Sequence, residues 1–259
     1  MEYFKKGISG HQLKMFAIVL MVFDHIQQMF SYAGAPLIFT MLGRSVLTIF
    51  LFTSVEGYYY TRDKKKYAIR LLLFYWMMNV LNGIISQLFP LEPVTLLNNV
   101  FGTLLVAVIV MFLIDCFKNK KGLKGLLLLA IPLIPTVLTN LLLQIKPDSV
   151  YNFYLLFPSY TVNEGGKLMI VLAGVLYIFR EKRVLQCLAI FLGAIASTGL
   201  DSDGLLTTNI QWMMIFSIVP ILLYNGQKGK SSKYFFYTFY PTHVYALYIL
   251  SYFYAMYYF

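Results

Sequence analysis

The chain reads as a succession of long apolar runs separated by short polar interruptions. The runs extend from Leu13 to Phe30, Pro36 to Tyr60, Tyr67 to Phe89, Leu97 to Phe117, Leu123 to Ile145, Gly165 to Phe179, Val184 to Leu200, Leu205 to Tyr224 and Tyr234 to Tyr258. A helix needs roughly 20 mostly apolar residues to cross the ~30 Å hydrocarbon core of a bilayer. The pattern therefore predicts an all-α, polytopic membrane helix bundle with about nine transmembrane helices, forming one domain over residues 1–259. The sixth and seventh runs are short and Pro132 and Pro135 interrupt the fifth, so the count carries a margin of one or two. The segment Lys146 to Gly166, with Pro147, Pro158 and several tyrosines, is the longest external loop and has room to dip back into the protein.

Composition strengthens this reading. Apolar residues make up 59% of the chain and charged residues 12%, with 21 tyrosines and 22 phenylalanines, more than a soluble core absorbs. The basic start of the chain leads into an apolar segment that carries Asp24 and His25 and lacks a small-residue cleavage site. It is expected to be a retained first helix and not a signal peptide.

A net charge of +10 would ordinarily suggest a nucleic-acid partner, but the cations sit in clusters between apolar runs. Lys5, Lys6 and Lys14 form the first cluster; Arg62, Lys64, Lys65, Lys66 and Arg70 the second; Lys118, Lys120, Lys121 and Lys124 the third. Arg180, Lys182 and Arg183 follow, then Lys228, Lys230 and Lys233. These are eighteen of the 21 basic residues, and they fall in every second loop. The intervening loops carry Glu92, Asp148, Glu164, Asp201 and Asp203 against only Lys146 and Lys167. The positive-inside rule then puts the N-terminus in the cytoplasm, and an odd helix count puts the C-terminus outside, in the plasma membrane. The expected partner is the lipid bilayer and not nucleic acid. Cys116 and Cys187 fall near cytoplasmic helix ends, where no disulfide is expected.

Ionisable side chains inside a span cost at least ~2.5 kcal/mol each on insertion scales, so Asp24, His25, Arg44, Glu56 and His243 each need a reason. At 1.5 Å per residue His25 lies about 16 Å beyond Lys14, Arg44 about 12 Å inward from Pro36, and His243 about 14 Å inward from Tyr234. All three approach the midplane, so helices one, two and nine have the means to share one buried polar cluster. Asp24 and His25 are adjacent and point about 100° apart on a helix, which predicts separate partners, with Arg44 the natural partner for Asp24. His25 shares a face with Lys14, Ile18 and Met21, a stripe from the cytoplasmic surface toward the midplane that would suit a tunnel wall. The blander reading is helix-to-helix glue, in which such contacts average less than about 1 kcal/mol. Glu56 and Arg62 sit near the boundary, where snorkelling makes them cheap. Pro241 removes the amide that the carbonyl of Tyr237 would accept from, which predicts a kink beside Tyr240 and His243. No phosphate-loop glycine motif, nucleophile-elbow serine, metal-binding His/Cys spacing or His-x4-Asp acyltransferase signature is present.

Three blocks, LKMFAIVLMVFDHI, GRSVLTIFLFTSVEGYYYTRDKKKYAIRLLLF and LYNGQKGKSSKYFFYTFYPTHVYALYIL, resemble the TraX family, named for the conjugative-pilin N-acetylase. The resemblance covers about residues 12–80 and 212–250. It implies a membrane acyltransferase that draws on cytoplasmic acetyl-CoA or another acyl-CoA, uses no metal, and modifies an acceptor across the membrane. The motif positions it implies are Lys14, Asp24, His25, Gly43, Arg44, Glu56, Gly57, Thr61, Arg62, Tyr67, Arg70, Tyr224, Asn225, Gly226, Gly229, Tyr240, Pro241 and His243.

On this footing His25 is expected to take the acceptor's proton, or else to carry the acyl group briefly, with Asp24, Arg44 and His243 around it. Lys14, Glu56, Arg62, Tyr67, Arg70, Asn225, Lys233 and Tyr240 form the expected donor side, the cations holding the phosphates of CoA and the glycine-rich NGQKG bringing backbone amides close. The expected acceptor is an amine or hydroxyl on an extracytoplasmic peptide or an envelope glycan or polymer. The alternative is a transporter or channel in which Asp24, Arg44 and the histidines relay protons or bind a solute; a catalytically silent assembly factor is a third.

Overall fold

A computed structural model describes residues 7–92, 94–146, 156–160, 163–199, 201, 203–230 and 233–258. The helices are α1 (Gly10–Phe30), α2 (Leu37–Gly43), α3 (Val46–Tyr60), α4 (Lys64–Leu88), α5 (Val100–Lys118), α6 (Gly122–Ile145), α7 (Gly166–Ile178), α8 (Arg183–Ser197), α9 (Ile218–Leu222) and α10 (Lys233–Tyr258), with 3-10 helices at Ser31–Ala33 and Gln211–Ser217. Among the described residues the extended pairing is a single bridge between Ile8 and Tyr224.

Every apolar run is occupied by helix, but fewer than the nine expected crossings are met by a helix of spanning length and hydropathy. Among the described residues, five helices are long and apolar enough to span: Gly10–Ala33, Ile38–Tyr60, Lys64–Leu88, Val100–Lys118 and Gly122–Ile145. The second of these is interrupted by a turn at Arg44 and Ser45. Helices α7 and α8 have only 13 and 15 residues. The eighth run forms a 3-10 helix and a five-residue α-helix, because Pro220 has no amide to donate to the carbonyl of Phe216. Helix α10 has 26 residues, but its nine tyrosines dilute its hydropathy. Residues 147–155, 161 and 162 of the external segment lie outside the described residues, and so does any re-entry by that segment.

Helix α6 shows which solvent these helices meet. Its outward residues are Leu123, Leu126, Leu127, Ile131, Ile134 and Val137, while Gly125, Pro132, Thr136 and Thr139 face inward. An apolar outer face over polar inner residues suits lipid and would aggregate in water. The Thr136 hydroxyl donates to the carbonyl of Pro132 at 2.7 Å inside the proline-interrupted stretch.

The chain divides into two compact units. Unit one comprises Met1–Thr53, Asn82–Leu97 and Arg183–Phe259, and unit two Ser54–Leu81 and Asn98–Lys182. In unit one α1 packs on α2 and on α10, and α8 packs on the 3-10 helix and α9. Helices α1 and α10 run parallel: Lys14 meets Phe236 near their starts, and Tyr32 and Met29 meet Ser251 near their ends. In unit two α5 packs on α6 and α7.

Local chemistry sets the helix starts. Ser9 and Gln12 form a reciprocal capping box on α1. The amides of Gly10 and His11, which have no partner within the helix, donate to the carbonyls of Gln227 and Lys228 at 2.8 and 3.0 Å. Helix α4 opens on Lys64, Lys65 and Lys66, the wrong charge for a helix N-terminus. Asp63 offsets this by accepting from the Lys66 amide at 2.9 Å, a contact that holds its exposed carboxyl below the usual carboxylate range.

Candidate functional site

The polar residues of α1 reach two different partners. Asp24 turns to Arg44, whose Nη2 lies 3.2 Å from Asp24 Oδ1, and Arg44 also donates to the Thr40 carbonyl and, at 3.4 Å, to Gln211 Oε1. This ion pair is possible because Gly43 lets the chain approach α1 closely: a Cβ there would stand 2.4 Å from Asp24 Cβ. His25 turns to α10, where its Nδ1 lies 2.7 Å from His243 Nε2. Both rings are buried, at 5% and 8% exposure. Tyr240 meets both edge-on, and Phe239 stacks on His243.

The second nitrogen of His243 fixes the proton arrangement. Its Nδ1 lies 2.8 Å from the carbonyl oxygen of Phe239, which only accepts, so Nδ1 carries the proton. With both rings neutral, His243 Nε2 then accepts and His25 Nδ1 donates. His25 Nε2 is left as the proton-accepting nitrogen of its ring, an assignment made from hydrogen-bond logic. Three groups form a directional chain: the carbonyl of Phe239, His243 and His25.

The remaining residues singled out from sequence are placed as follows. Lys14 lies on α1 with its Nζ 5.0 Å above the Phe236 ring, while Ile18, Met21 and His25 of its stripe are buried. Asn225 ties the NGQKG loop to the N-terminal segment: its side chain donates to the Gly7 carbonyl at 2.9 Å and its amide to the Ile8 carbonyl at 3.0 Å. In that loop the amides of Asn225 and Gln227 are engaged within the protein. Lys233 begins α10. All of these, with Tyr240, belong to unit one. Glu56, Arg62, Tyr67 and Arg70 belong to unit two. There Glu56 is buried on α3, Arg62 is exposed between α3 and α4, Arg70 lies on α4, and the Tyr67 hydroxyl is 2.9 Å from Ser54 Oγ.

Two groups escape a reading by sequence alone. In unit two, Asp115 Oδ1 accepts from the Tyr177 hydroxyl at 2.5 Å, and Oδ2 accepts from Tyr58 at 2.8 Å and from Lys64 Nζ at 2.6 Å. In unit one, Arg183 lies 4.4 Å from the Phe52 ring and 5.3 Å from the Tyr224 ring, and donates to Gln186 at 2.8 Å. Asp115 sits among the last residues of its run and Arg183 in a basic loop, so position gave neither any distinction; only their tertiary partners do. Among the described residues no three His, Cys, Asp or Glu side chains gather to hold a metal ion.

These features define a class: an all-helical protein built for the bilayer, with a histidine pair and an ion pair held inside its helices. The chain belongs to the TraX protein family, whose model matches residues 9–251. No curated protein sequence and no solved structure matches it.

Proposed function

We propose that the protein is a membrane acyltransferase that moves an acyl group, acetyl by preference, from cytoplasmic acyl-CoA to an amine or hydroxyl of an extracytoplasmic acceptor. The acceptor is a peptide N-terminus or an envelope glycan or polymer. The observation that carries this reading is the His25–His243–Phe239 chain, which orients a proton-accepting nitrogen between two buried helix faces. Membership of the TraX family supports it.

In the proposed reaction His25 Nε2 removes the proton from the acceptor's O–H or neutral N–H as that atom attacks the thioester carbonyl. The carbon–sulfur bond breaks, and the departing CoA sulfur takes the proton back from His25, so the enzyme ends as it began. While His25 is protonated, its Nδ1–H bond to His243 Nε2 becomes charge-assisted and strengthens, which favours the intermediate over the ground state. The Asp24–Arg44 pair keeps two further charges mutually neutralised close by, so neither competes for the proton. On the donor side, Lys14, Lys233, Asn225 and Tyr240 serve in unit one, and Glu56, Arg62, Tyr67 and Arg70 in unit two, the cations answering the phosphates of CoA.

The test is release of CoA thiol from acetyl-CoA by purified protein in vesicles supplied with an envelope extract. Release that depends on both protein and extract supports transfer. Solute or proton movement with no thioester consumed would favour the transporter reading. The proposed orientation has the N-terminus in the cytoplasm and the C-terminus outside. Reporter fusions at Tyr32 and Asp201 should read as external and at Asn119 and Gly229 as cytoplasmic; a cytoplasmic signal at Tyr32 or Asp201 overturns it.

A further inference from the structure

Unit one contains two buried hydroxyls that neither the histidine pair nor the ion pair uses. Thr48 on α3 is fully buried, and its hydroxyl oxygen has no hydrogen-bond partner. Ser217, the last residue of the 3-10 helix, is in the same condition. A buried hydroxyl without a partner costs roughly 1–3 kcal/mol, so two in one unit call for an explanation.

Their placement suggests one. Arg44, in the turn before α3, and Thr48 and Phe52 on α3 follow at intervals of four, and Gln211, Ser217 and Tyr224 follow along the facing segment. The two lines meet at both ends: Arg44 contacts Gln211, and Phe52 contacts Tyr224 edge-on at 5.4 Å. Thr48 and Ser217 lie between these meeting points. At one end stands Arg183, over the rings of Phe52 and Tyr224; at the other is the ion pair beside His25. Phe52 lies eight residues beyond Arg44, across the turn and the first half of α3, about 12 Å at helical rise, a distance that an extended chain bearing two amides covers. The facing wall is held by weaker backbone hydrogen bonds than an α-helix has. Its seven-residue 3-10 helix is longer than such helices usually run, and Pro220 removes one more hydrogen bond just beyond it.

We propose that Thr48 and Ser217 hydrogen-bond the amide-bearing pantetheine arm of the acyl donor, and that Arg183 holds its phosphate end. The inference rests on the acyl-transfer reading and adds to it a route through unit one. A hydroxyl both donates and accepts, so it matches either face of an amide. A guanidinium held over aromatic rings is pre-oriented for phosphate and stays charged.

The test compares two probes, CoA and adenosine 3′,5′-bisphosphate, which lacks the arm, on full-length protein in zwitterionic nanodiscs. Thr48→Val and Ser217→Ala should each weaken CoA binding about three- to tenfold and leave the bisphosphate unchanged. Arg183→Gln should weaken both. Thr48→Val should melt no lower than wild type, because it removes an unsatisfied group at constant volume. Lower melting would show that the hydroxyl serves the fold and would overturn the inference. Wild-type CoA affinity in both hydroxyl variants would also overturn it and leave the acyl-transfer reading standing. Failure of the wild-type protein to bind CoA at all would remove that reading and the inference together.

Discussion

The polar cluster of unit one and that of unit two are both held inside their helices and differ in the groups that form them, two imidazoles in the first and a carboxylate in the second. In unit two the Asp115 carboxylate takes hydrogen bonds on both oxygens, two from tyrosines and one from Lys64, and Lys64 and Lys118 also lie over the rings of Tyr58 and Tyr177. The hydroxyls of Tyr58 and Tyr177 and the Lys64 ammonium all donate to this one carboxylate. Such a knot draws the ends of α3, α5 and α7 and the start of α4 together, and nothing in its protonation invites change. In unit one the chain from Phe239 through His243 to His25 is directional and ends on a nitrogen that accepts a proton. A carboxylate that accepts three hydrogen bonds holds structure; an imidazole pair is suited to moving a proton.

Substitutions break this comparison in a defined order. His25→Ala is expected to lower turnover about 100- to 10,000-fold while CoA binding and folding persist, since a general base contributes to rate and little to donor affinity. His243→Phe removes the nitrogen that sets the His25 tautomer. Turnover should fall about 10- to 100-fold, with a shifted pH–rate profile and unchanged KM for the donor, as for partners that orient a reacting group. If the only change is a lower melting temperature, with activity lost in proportion to folded protein, His243 is packing and the chain has no chemical role.

Asp115→Asn should act in the opposite way. It keeps the shape but removes the charge and turns one accepting oxygen into a donating NH2, so at least one of the three accepted hydrogen bonds is lost, with an expected stability loss of about 1–3 kcal/mol, read as a lower melting temperature at unchanged turnover per folded molecule. Full stability with lost turnover would erase the distinction between the two units. Tyr177→Phe, removing one of the three bonds, should cost about 1 kcal/mol in the same assay.

The cost of polarity in lipid made Asp24, His25, Arg44 and His243 legible in the amino-acid sequence, because that cost belongs to each residue alone. The divergence of Asp24 and His25 also followed from helix geometry, and the ion pair with Arg44 and the contact of α1 with α10 match it. What sequence did not carry was the partner of His25, which lies 218 positions away and is chosen by packing. The nine apolar runs marked where helices form, but run length did not distinguish a long continuous helix from the 3-10 and α9 pair, whose form depends on Pro220. The glycines of NGQKG suggested phosphate approach, whereas the structure shows that loop capping α1 through the carbonyls of Gln227 and Lys228. Asp115 sat near a helix end, where a carboxylate is cheap and attracts no notice.

The most direct test of acyl transfer is mass spectrometry of envelope and secreted molecules from cells fed isotopically labelled acetate. Three strains are needed: wild type, a strain lacking the protein, and one carrying His25→Ala at wild-type abundance. The account predicts a labelled acetyl group on a peptide or envelope polymer in the wild type alone. The same acetylated species in the His25→Ala strain would contradict the role of His25, and its presence in the strain lacking the protein would contradict acyl transfer itself.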